Sequence, residues 1–152
     1  MRTSRNPAAG RRGGGPARPS PRLLLAVGAG GTLGALARWG IAAHWPVEPA
    51  RMPWSTLVIN VSGAMVLGVV MTLVIERWPP TRYVRPFVCT GVCGGYTTWS
   101  TFMTETALLV RDHHGATAAA YVAVSLAAGL TGTYAGIWLA RLWPATSTRR
   151  TT

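Results

Sequence analysis

The polar side chains best suited to chemistry in this 152-residue chain lie inside long apolar stretches. Asn60 sits six residues into a run that opens at Trp54, reaches Ile75 and contains no charge. Its amide can donate two hydrogen bonds, either to a small anion or, as interhelical glue, to a neighbouring helix. Another apolar stretch reads Cys93-Gly94-Gly95-Tyr96-Thr97-Thr98-Trp99-Ser100-Thr101-Phe102 at its middle. Paired glycines weaken a helix. A break there would free carbonyl oxygens for a hard cation such as Na⁺ and bare the amide donors of a new helix start; a plain glycine kink is the simpler alternative. Trp99 and Phe102 are three residues apart and share a face. Their electropositive ring edges can meet a small anion, although packing is the commoner use of such a pair. Tyr121 and Ser125 head a helical strip that continues through Gly129, Gly132 and Gly136. Two charged residues also fall in or near apolar sequence. Glu105 is either a functional carboxylate or a partner for helix ends and side chains. Arg38 either snorkels to the interface or draws anions to a vestibule.

No catalytic pattern accompanies these residues. The chain has no GxSxG, Walker or HExxH sequence. His113 and His114 stand beside Asp112 in a short polar connection and read as surface residues. Cys89 and Cys93 are four apart, a poor geometry for a disulfide and too few ligands for a zinc site, so they read as small packing residues. The reading is therefore not an enzyme.

Four apolar stretches must position the polar groups: residues 23–45, 54–76, 84–110 and 116–142. About 20 residues cross a hydrocarbon core, which predicts an all-α membrane protein with four transmembrane helices, the third broken at Gly94–Thr97. Proline and charge fill the connections, and Trp39, Trp45, Trp54, Trp78 and Trp143 fall near helix ends, where indoles favour the interface. Residues 1–22 are rich in Arg, Pro, Gly and Ser and read as a disordered basic tail, retained rather than cleaved; residues 144–152 read as a second tail. The net charge of +11 comes from fifteen arginines with no lysine. These flank apolar runs and form no soluble stripe, which argues against nucleic acid as partner. With four crossings, twelve arginines fall on the side of the termini and three on the other, so the positive-inside rule puts both termini in the cytoplasm. Small-residue pairs four apart, Gly30 with Gly34 and Gly132 with Gly136, predict close helix packing and an oligomer.

In three ordered segments the sequence resembles the Fluc/CrcB fluoride channel family: Gly30-Gly31-Thr32-Leu33-Gly34-Ala35-Leu36-Ala37-Arg38, Thr56-Leu57-Val58-Ile59-Asn60-Val61-Ser62-Gly63, and Gly91 through Phe102. Tyr121 and Ser125 fit its last helix. The resemblance implies a passive, fluoride-selective channel in the bacterial cell membrane that exports cytoplasmic fluoride, built as an antiparallel, dual-topology dimer. It implies a structural Na⁺ held by the backbone carbonyls of Gly94 and Thr97. It implies a fluoride path along Asn60, Trp99, Phe102, Ser100, Thr101, Tyr121 and Ser125, with Glu105 close by. Trp99 departs from the family's phenylalanine, and Gly129 lacks a hydroxyl that some members carry. The arginine bias favours a fixed orientation and so a heterodimer with a sister chain, against a homodimer. A non-conducting subunit and a fluoride/proton exchanger using Glu105 are the alternatives.

Overall fold

The fold is described from a computed structural model, which covers residues 20–76 and 82–142. The expected tail segments 1–19 and 144–152 lie outside the described residues, as do residues 77–81 and Trp143. All regular structure among the described residues is helical.

Helix α1 (Pro21–His44) opens with proline at its first position, and the Ser20 hydroxyl accepts from the Leu23 amide at 3.4 Å. Pro21 and Arg22, read above as tail, are thus helical. Helix α2 (Trp54–Glu76) starts directly after the buried Pro53. The third apolar stretch is not one helix. It runs as a π-helix, here π1 (Pro86–Cys93), passes into one α-turn, α3 (Gly94–Tyr96), and resumes as α4 (Trp99–Arg111). The wide winding of π1 was not expected from the sequence; such segments frequently accompany functional sites. His113, in the left-handed region at φ 64°, ends α4, and α5 (Gly115–Leu142) turns back at once.

Glycines let these helices touch backbone to backbone. A Cβ on Gly34 would run into the Val92 carbonyl, and one on Gly91 would lie 2.8 Å from the Val27 carbonyl oxygen. The same crowding meets Gly30 at Phe87 and Gly95 at Gly31. The numbering rises together along both partners, so α1 and π1–α3 run parallel. In α2 and α5, Gly132 faces Val61 and Gly136 faces Met65, and an Arg141–Glu76 ion pair of 2.8 Å closes the far end. These two helices are parallel as well. The connection between α1 and α2 is turned back on itself, Arg51 donating its amide to the Glu48 carbonyl and Trp54 to that of Met52, so it falls short of the roughly 36 Å needed to retrace α1. The two pairs therefore oppose each other. Helices α1, α2 and α5 are each long and apolar enough to cross a membrane, and the composite third segment runs alongside α1 between them. Leu57, Phe102, Leu109, Ala118 and Tyr121 form the buried cluster where α2, α4 and α5 meet.

Candidate functional site: a groove at the interrupted third segment

Helical backbone ends at Tyr96 and resumes at Trp99; between them Thr97 (ψ 157°) and Thr98 (φ −143°, ψ 116°) are extended. The sequence pointed to Gly94 through Thr97. Gly94 is in fact helical (φ −66°, ψ −34°), and the extended residues are the two threonines. Gly95 is needed for contact with α1, whereas Gly94 would offer an added Cβ open space.

Side chains hold this backbone. Asn60 acts as a one-residue strand: its Oδ1 accepts from the Thr98 amide at 2.8 Å, and its Nδ2 donates to the Thr98 carbonyl at 3.0 Å. The Thr98 hydroxyl caps α4 by accepting from the Thr101 amide at 3.2 Å and donates to Thr101 Oγ1 at 2.9 Å. Thr97 donates both its amide and its hydroxyl to the Cys93 carbonyl, at 3.0 and 2.9 Å. Arg38 donates from Nε to the Gly95 carbonyl at 3.1 Å, so its guanidinium seals the end of α3.

These bonds determine which carbonyls are released. In an unbroken α-helix the Gly94 carbonyl would accept from the Thr98 amide, and the Thr97 carbonyl from the Thr101 amide. Asn60 takes the first of those amides and the Thr98 hydroxyl takes the second. Gly94 and Thr97 thus lose their helical donors, while Gly95 gains Arg38 in place of its own.

Against the break lies an open groove of about 380 Å³, walled in part by Asn60, Gly94, Thr97, Trp99, Phe102 and Ser125. Its surface is largely apolar with a few polar atoms, the usual make-up of a small-ligand site. The Ser125 oxygen is buried and without a hydrogen-bond partner among the described residues. Phe102 is buried, whereas Trp99 is 68% exposed at the rim; their ring centroids are 5.4 Å apart at 45°.

Other expected path residues fall elsewhere. Tyr121 is fully buried, packs its ring against Phe102 with centroids 5.0 Å apart and planes tilted by 56°, and donates its hydroxyl to Glu105 Oε2 at 2.7 Å. Thr56 donates to Glu105 Oε1 at 2.8 Å. The Glu105 carboxyl therefore ties α2, α4 and α5 together and does not wall the groove. Ser100 and Thr101 are likewise outside it, Ser100 on the exposed face of α4. The sequence reading did not assign Thr98 a role; a threonine directly before Trp99–Arg111 is a helix N-cap signal. Gly63, in the same sequence segment as Asn60, is where a Cβ would collide with the Thr97 methyl.

Long apolar helices with non-helical backbone sheltered against a groove define a polytopic membrane protein, since such backbone persists at membrane depth only where protein or a cavity satisfies it. The family described as CrcB-like protein, Camphor Resistance (CrcB), matches residues 25–137, and the chain belongs to that family. Curated relatives carry channel names. The chain is 42% identical over 130 residues to "Fluoride-specific ion channel FluC 2" of Nocardia farcinica, covering 86% of this chain and 92% of that one. It is 45% identical over 120 residues to "Fluoride-specific ion channel FluC 1" of Mycobacterium bovis, covering 79% and 91%. To "Fluoride-specific ion channel FluC" of Rhodospirillum centenum it is 42% identical over 123 residues, covering 79% and 96%. The family is one of ion channels, so the chain is not an enzyme.

Proposed function

We propose that this chain is a subunit of a passive, fluoride-selective channel that lets cytoplasmic fluoride leave across the bacterial cell membrane. The observation that carries the reading is the Ser125 hydroxyl, buried, without a partner among the described residues and lining the groove with Phe102 and Asn60. Fluoride is small and strongly hydrated, so a path must replace its water with donors that bind weakly enough to release it. Asn60 uses one amide hydrogen on Thr98 and keeps a second. The Ser125 hydroxyl and the Phe102 ring edge are further electropositive contacts. Glu105 meets a hydroxyl at each oxygen, which favours a bracing role for it over proton exchange.

The released carbonyls of Gly94 and Thr97 fit a hard cation, which takes oxygen ligands, and on this reading they hold a structural Na⁺. Bound there, the ion supplies a fixed positive charge that offsets the cost of an anion in low dielectric. The groove is open on one side and the Trp99 indole is exposed at its rim, which supports closure by a second, antiparallel subunit, either another copy or a sister chain. Because that bulky indole stands where the family has phenylalanine, a subunit that conducts only beside a sister chain is the second reading.

The test is anion efflux from proteoliposomes in Na⁺, fluoride against chloride. Rapid loss of fluoride with chloride retained is expected. A folded preparation that passes no fluoride, alone or with its sister chain, overturns the proposal.

A further inference from the structure

Cys89 and Cys93 are the only cysteines in the chain, and both wall the groove described above. Both are free; Cys93 is buried and Cys89 half-buried. They belong to π1, where one turn takes between four and five residues, so a spacing of four puts the second thiol almost directly above the first. A zinc or iron site needs more ligands, and the described residues contain no cluster of three or more histidines, cysteines or acids. A soft d¹⁰ cation is different. Thiolates are its preferred ligands, and two of them in line satisfy it.

From this geometry we propose that Cys89 and Cys93 form a two-thiolate site for a soft d¹⁰ cation such as Cu⁺ or Hg²⁺, and that a cation bound there obstructs the groove. Each thiol gives up its proton to solvent as its sulfur–metal bond forms, with no change of oxidation state. The metal would stand in the groove that Gly94 and Ser125 also line, within the space the proposed fluoride path uses. The obstruction rests on the channel reading; the binding does not.

Hg²⁺ is the probe, and binding is read separately from flux. Native mass spectrometry of the full-length protein in detergent is expected to give one Hg²⁺ per chain, with two protons displaced, surviving excess monothiol. Cys89→Ser and Cys93→Ser should each lose the metal to that monothiol at concentrations at least 100-fold lower. Two mercury ions per chain, one mercury bridging two chains, or single variants that retain the metal as well as the parent would each overturn the two-thiolate site. In proteoliposomes Hg²⁺ should abolish fluoride efflux by the parent and spare the double variant. Undiminished efflux with the metal bound would overturn the obstruction. An absence of efflux before mercury is added would instead count against the channel reading and leave the binding result standing.

Discussion

Asn60 and Ser125 both meet the groove, but they differ in what they do for the chain. Asn60 makes two hydrogen bonds to Thr98, whereas the Ser125 oxygen makes none. Asn60→Ala removes both bonds and strands a backbone amide and carbonyl at membrane depth. Interhelical bonds in membranes contribute about 0.6–1.7 kcal/mol each, so a loss of roughly 1–3 kcal/mol is expected in detergent unfolding, together with lost fluoride efflux. Ser125→Ala breaks no bond and removes a buried hydroxyl that has no partner among the described residues, a group that costs about 1–3 kcal/mol when unsatisfied, so it should keep or raise stability while slowing efflux. If Ser125→Ala conducts as the parent does, the hydroxyl is not a contact on the path. Glu105 offers a second contrast. Tyr121→Phe gives up one hydrogen bond and keeps the ring contact with Phe102; Glu105→Ala strands the buried Thr56 and Tyr121 hydroxyls together. Each stranded hydroxyl costs about 1–3 kcal/mol, so Glu105→Ala should unfold at a clearly lower temperature than Tyr121→Phe. Equal losses would mean that the carboxyl does not join the two helices to α2.

The helices are held by places where no side chain exists, and this makes glycine substitutions position-specific. A Cβ at Gly34 falls onto the Val92 carbonyl and within 2.8 Å of the Tyr96 amide, both backbone and unable to rotate away. Gly34→Ala should therefore separate α1 from π1 and lower stability by about 1–3 kcal/mol, the usual cost of overpacking. Gly40, on the same helix, has nothing within 4 Å of an added Cβ. Gly40→Ala should be neutral or stabilise by up to about 1 kcal/mol through helix propensity. Thermal unfolding of the two variants side by side tests the contrast, and a Gly34→Ala protein as stable as the parent would refute the close contact. Much of this was legible from sequence. The apolar runs announce α1, α2 and α5 to within two residues, and the Gly30/Gly34 and Gly132/Gly136 spacings announce tight packing. The winding of π1 was not legible, because Thr90 and Gly91 within it fit a kinked α-helix equally well. Nor was the Asn60–Thr98 pairing, which joins residues 38 apart and exists only once α2 lies beside the break. It moves the break from the glycines to the threonines. Glu105 read as a candidate for proton chemistry for the same reason: the two hydroxyls that occupy it come from other helices.

At the scale of the whole molecule, the parallel pairs α1 with π1–α3 and α2 with α5 put the start of α1 and the end of α5 on one side of the membrane. The α1–α2 connection and the α4–α5 turn lie on the other. Counted by their order in the sequence against four crossings, twelve arginines are expected on the side of the termini and three on the opposite side. Arginine is strongly retained in the cytoplasm during insertion, so a bias this large should give nearly all copies one orientation. An antiparallel homodimer needs equal numbers of each. On the proposed antiparallel dimer, a second, oppositely oriented chain completing the groove would meet both demands. In a Cys89→Ser, Cys93→Ser background, cysteines at Val47→Cys and His114→Cys, both exposed in the turns, report one side, and Tyr83→Cys, exposed between α2 and π1, reports the other. An impermeant maleimide added to intact cells should label the first two and reach the third only after permeabilisation. Efflux from the purified chain alone should then be weak, and reconstitution with the sister chain should restore it. Labelling of all three positions from outside would establish mixed orientation, and the arginine bias would no longer argue against a homodimer.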